Sequence, residues 1–166
     1  MRPGETTYPI DFVKAAMQEH FKITDVQGDF LPFAYTNFQK STIASFCTRV
    51  AEGARKGDRL CQEVFRQAGE DLGLHVRALI PKIDSSLLAN SQGFRIVCVG
   101  SVWQSFDLLR EGFDGALPLE SFPHGYQLVK VKGACTIGAA IHASKTLGLG
   151  VHFNADDHVE VFHLRK

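Results

Sequence analysis

The sequence predicts an α/β fold in which helices come first and a strand–helix–strand–helix unit follows. Three observations carry this. Apolar positions recur at steps of three and four through most of the stretch from Asp11 to Leu79, the spacing that lines one helical face. After Gly93 the pattern changes to short β-branched runs alternating with helices of ten or more residues, which implies parallel strand pairing through crossovers. The tail alternates with period two. At 166 residues the chain suits a single domain, whose core can bury close to ~70% of the extended-chain surface. Its mainly helical part spans 10–92 and its α/β part 93–166.

Taken in order, Val13, Ala16, Met17, His20 and Phe21 mark a first helix from Asp11. "DFLPFAYTNF" interrupts it with a proline among aromatics, and Phe30, Phe33 and Phe38 are expected to be buried there. Ile43, Phe46, Cys47, Val50, Ala51 and Ala54 form the next periodic run. It closes at Gly57, where glycine can take the left-handed conformation, and Asp58 caps a third helix. That helix carries Leu60, Cys61, Val64, Phe65, Ala68, Leu72, His75, Val76 and Leu79, and Pro81 stops it. Gly69 and Gly73 leave a small-residue stripe on its surface. Interior glycines cost roughly 1 kcal/mol each, so another backbone is expected to pass close by. "IDSSLLANSQG" is a turn-rich connection. Strand Arg95 to Val99, helix Val102 to Phe113, strand Tyr126 to Val131 and helix Ala134 to Leu147 come next. "HVEVFHL" is an edge strand, with Val159, Val161 and His163 opposed to Glu160, Phe162 and Leu164.

Lys+Arg and Asp+Glu both number 18, and no basic run stands out, so neither nucleic acid nor an anionic membrane surface is an expected partner. Cys47, Cys61, Cys98 and Cys135 form no C-x-x-C pair and sit in apolar stretches, reading as buried free thiols of a reducing compartment. "MRPGETTYPID" lacks the marks of a signal or transit peptide, and no apolar run approaches 18 residues. The expectation is a soluble cytoplasmic protein.

The chemistry-bearing stretch is "RIVCVGSVWQSFDLL", Arg95 to Leu109. Open α/β sheets bind ligands beyond the carboxyl ends of their parallel strands, where helix starts present backbone N–H groups. Gly100-Ser101 falls at such an end, with Ser105 one turn further on. Glycine admits close backbone approach, and a serine there either contacts a base or ribose or caps the helix. Ser101 and Gln104 spell S-x-x-Q, a capping box that serves stability alone. Both readings stand at this level.

Four spaced blocks extend the reading: A-E-G-A with Gly57-Asp58; Phe65 with Ala68-Gly69-Glu70, Leu72-Gly73 and His75; Pro81 with Ile83-Asp84; and Cys98 to Trp103 with Ser105. Together, from about Ile10 to about Lys145, they resemble the C-terminal part of N-acetyl-D-glucosamine kinases. The resemblance implies a partial actin-like ATPase (ribonuclease H-like) domain. It also implies transfer of the ATP γ-phosphate to the 6-hydroxyl of N-acetylglucosamine with Mg²⁺, and a homodimer. The family's adenosine positions fall on Ala44, Ser101 and Ser105, with Gly100 and Trp103 in the same motif; Trp103 is either a base-stacking ring or a core aromatic. Where the family reads A-G-F-C, this chain reads Ala44-Ser45-Phe46-Cys47. "GACTIGAAIHASK" corresponds to a helix near the nucleotide cleft.

The resemblance also implies what is missing. The catalytic carboxylate, the phosphate turns and the Mg²⁺ anchor belong to the family region before that matched by Ile10, as do the first three strands of its sheet. No catalytic or metal-binding residue is therefore assigned, and the chain reads as a truncated or alternatively started product. Strand Arg95 to Val99 would then expose an apolar edge. The alternative is a non-catalytic dimerisation or interaction fragment. His152, Asp156, Asp157, His158 and His163 are metal-ligand types without an established metal spacing. "VGSVW" lacks the G-x-S-x-G elbow of a serine nucleophile. His75 and His142 read as helix-face histidines.

Overall fold

A computed structural model describes residues 7–36, 38–133, 136–149 and 153–166. In chain order the described elements are α1 (Asp11–Phe21), α2 (Val26–Thr36), α3 (Lys40–Arg55), α4 (Arg59–Leu79), α5 (Ser85–Leu88), β1 (Phe94–Val97), α6 (Phe106–Ala116), β2 (Tyr126–Val131), α7 (Thr136–Thr146) and β3 (Val159–Arg165). A 3₁₀ turn, Ser101–Ser105, precedes α6. The fold is mixed α/β, mostly helical, with one small three-stranded sheet. The chain divides into two compact units, Met1–Arg77 with Gln104–Leu117, and Ala78–Trp103 with Pro118–Lys166. They interleave in sequence: α6, which the pattern alone groups with the strands, belongs with the helices.

The helical unit owes its boundaries to local chemistry. Gly57 takes φ +91° after α3, and the Asp58 carboxylate accepts from the Cys61 backbone N–H at 2.9 Å to start α4, the usual N-cap arrangement. α2 departs from the sequence expectation of an interruption, running straight through Pro32. Its start is held by Asp25, which accepts from Gln27 N, and by Asp29, which accepts from Asp25 N at 2.8 Å and Thr24 N at 3.0 Å. These bonds, that from Asp25 foremost, hold the Asp29 carboxyl below its ordinary pKa. Phe30 and Phe33 then pack against Phe21, at centroid distances of 5.1 and 5.4 Å. Phe38 corrects the burial expectation: it lies past the end of α2, 66% exposed.

α4 and α6 cross at glycines. A Cβ on Gly69 would lie 2.0 Å from the Leu109 carbonyl oxygen, and one on Gly112 would lie 1.9 Å from the Arg66 carbonyl oxygen. Gly73 lies against Ala116 and Phe113, where a Cβ would come within 2.8 Å of each. The Gly69/Gly73 stripe is thus filled by a helix of the same chain, so it is no argument for a dimer. Around the crossing Cys61, Phe65, Leu109 and Phe113 are buried.

In the second unit β2 lies between β1, which it pairs in parallel, and β3, which it pairs antiparallel. Tyr126, Leu128 and Val129 of β2 are all fully buried, as a central strand covered on both faces requires. β3 breaks the expected alternation. Val129 pairs with Val161 and Leu128 with His163, leaving Phe162 as an extra residue. Such a bulge re-aims the side chain, and the Phe162 ring meets Trp103 at 6.4 Å and Lys130 Nζ at 4.4 Å. β1 is the other edge. Val97, its last residue, is 56% exposed, and Val99, two residues beyond it, is 73% exposed. No helix among the described residues is long and apolar enough to cross a membrane.

Candidate functional site

β1 ends at Val97, although the ladder continues one bond further, Cys98 N donating to Val129 O at 2.8 Å. Gly100 then takes φ +108° with no other heavy atom within 4 Å of where a Cβ would stand. Only glycine takes that backbone without strain, and the open space means the constraint is the turn and not a neighbour. Ser101 comes next, exposed, as the first residue of the 3₁₀ turn. A capping box needs its serine one position earlier, outside the helix. Accordingly, neither the Ser101 hydroxyl nor the Gln104 amide makes a hydrogen bond among the described residues. The Ser101 side chain is exposed.

Trp103 takes the core role. It is buried and rests against Phe162, so its ring is no open stacking platform. Close by in the chain Cys98 is buried; burial, opposed by the Lys130 charge, pushes its thiol up to about 11.

Ser105 and Ala44 belong to the helical unit. Ser105 sits at the break between the 3₁₀ turn and α6, with no side-chain bond capping that helix. Three residues per turn in the 3₁₀ segment eclipse i with i+3, so the expected alignment of Ser105 with Ser101 does not hold. The Ser105 hydroxyl accepts from Arg55 Nη2 at 3.4 Å. Arg55 in turn grips Asp107 with two bonds, Nη2 to Oδ1 at 2.9 Å and Nε to Oδ2 at 3.2 Å. This bonding holds the guanidinium above its ordinary pKa. Ala44 is exposed near the start of α3. At 1.5 Å rise per residue it lies ~16 Å along the helix from Arg55, so Ala44 and Ser105 do not converge on one point. Its neighbour Ser45 donates to Thr42 O at 2.8 Å and meets His20 Nε2 at 3.2 Å, tying α3 to α1.

Most of the remaining candidates are engaged elsewhere or fall outside the described residues, while Asp157 and His142 are exposed. Asp84 caps α5 through Ser86 N at 2.8 Å, and its bonds to Ser86 keep the carboxyl below its usual range. Asp156 pairs with Arg95, His158 stacks on Phe153, and His163 packs beside Tyr126. His75 Nδ1 lies 2.6 Å from Asp71 O one helical turn back. His152 and Cys135 lie outside the described residues. Cys47 corrects the expectation of buried thiols, being exposed on α3, whereas Cys61 and Cys98 are buried. No group of three or more His, Cys, Asp or Glu positioned for a metal occurs among the described residues. The donor set offered by Asp58, Asp107 and Asp114 does not suit Mg²⁺, since these carboxylates cap α4, bind Arg55 and face Arg110 respectively.

The pairing of Arg55 with Asp107, and the contact of Arg55 with Ser105, are what sequence reasoning missed. Arg55 and Asp107 are 52 residues apart, and no local spacing signals such a pair. No protein-family model matches this chain.

Proposed function

We propose that this chain carries the nucleoside-binding part of an N-acetylglucosamine kinase and does not itself phosphorylate the sugar. The observation that carries the reading is the exposed, unbonded Ser101 hydroxyl beside Gly100, at the carboxyl end of a parallel strand and inside the Cys98–Ser105 block. The block supplies the family reading, and the location is where α/β sheets bind ligands. ATP would be held by its adenosine end.

Ground-state binding of adenine does not lower a chemical barrier. Only contacts stronger in the transition state do so, and for phosphoryl transfer these are the metal, the phosphate cradle and the orienting carboxylate. The sequence carries no motif of a phosphate turn, and the described residues hold no group of three or more metal-ligand side chains. A coupled ADP-release assay with N-acetylglucosamine, ATP and Mg²⁺ is expected to read background. Calorimetric titration is expected to find adenosine and ATP bound weakly and within a few-fold of each other, with Ser101→Ala weakening both by about 1 kcal/mol. ATP binding tenfold tighter than adenosine, or no adenosine binding, would refute the reading.

The second reading, a partner-binding fragment of the same kinase, is favoured by the open β1 edge. Among the described residues β1 pairs with β2 alone, and an unpaired edge suits addition of a further strand.

A further inference from the structure

We draw no further inference here: the strongest candidate, the exposed apolar surface patch at α2 marked by Leu31, Tyr35 and, just past the helix end, Phe38, carries nothing, since nothing in the structure shows what covers it.

Discussion

Replacing Gly112 by alanine tests the α4–α6 crossing most directly. The new Cβ would stand 1.9 Å from the Arg66 carbonyl oxygen and 2.7 Å from the Glu70 nitrogen. A carbon and a carbonyl oxygen sit comfortably at about 3.3 Å, so the helices must part by roughly 1.4 Å there. Backbone atoms form the obstacle, and they cannot swing aside as a side-chain tip can. A gap of ~0.5–1 Å already forfeits a quarter to a half of each dispersion contact, and Phe65, Leu109 and Phe113 are all buried nearby. Overpacking of this kind costs about 1–3 kcal/mol; the better helix propensity of alanine offsets about 1 kcal/mol of it. Gly115, one turn on in the same helix, has no other heavy atom within 4 Å of a Cβ. Gly115→Ala should therefore gain about 1 kcal/mol from propensity alone. The two substitutions are chemically identical and should differ in sign. Urea unfolding followed by far-ultraviolet circular dichroism should move the Gly112→Ala midpoint down and the Gly115→Ala midpoint up, separating them by about 1 M or more at the m-values of small proteins. Equal midpoints, or a more stable Gly112→Ala, would refute the crossing.

Other outcomes rest on separate features. Gly100→Ala should lower thermal stability by about 1 kcal/mol despite open space around it, because φ +108° is strained for any residue with a Cβ; an unchanged melting temperature would show that the turn relaxes freely. Burial, aided by the neighbouring Asp58, pushes the Cys61 thiol from 9.0 up to about 12, so the folded state keeps a proton that the unfolded chain loses above pH 9. Stability from this group is complete below that pH and declines towards pH 12, by at most ~1.4 kcal/mol per pH unit. Urea midpoints between pH 8 and 10.5 should fall less steeply in Cys61→Ala, and identical slopes would contradict the assignment. Val97→Lys should reduce self-association in sedimentation velocity by charging the exposed end of β1; a wild-type chain that stays monomeric at micromolar concentration would remove the case for an adhesive edge.

Where an element is specified by residues close in sequence, it could be read directly. β2 matches its predicted span from Tyr126 to Val131, and α4 runs from the Asp58 cap to the neighbourhood of Pro81. The close approach at Gly69 and Gly73 was legible from the cost of interior glycines. Its partner was not, because Gly112 reveals its purpose only when a second helix is laid against it. α2 was obscured by Pro32, whose effect is outweighed by the Asp25 and Asp29 bonds at the helix start and by packing of Phe30 and Phe33. The bulge at Phe162 defeated the alternation rule, which assumes an unbroken ladder. At the site, Gly100 and Ser101 announced themselves through the strand-to-helix turn. The contact of Ser105 with Arg55 did not, since the two lie 50 residues apart.

The interleaving of the two units limits how this molecule can be dissected. The chain passes from one unit to the other three times, after Arg77, Trp103 and Leu117. No single cut releases either unit whole. A fragment starting at Ala78 would retain α6 while losing α4, leaving Leu109 and Phe113 stripped of the backbone they meet at Gly69 and Gly73, and it should be prone to precipitate. A fragment ending at Arg77 would lack α6 altogether. Isolating the helical unit calls for rewiring, with Arg77 joined by a short linker to Gln104 and the strands left out.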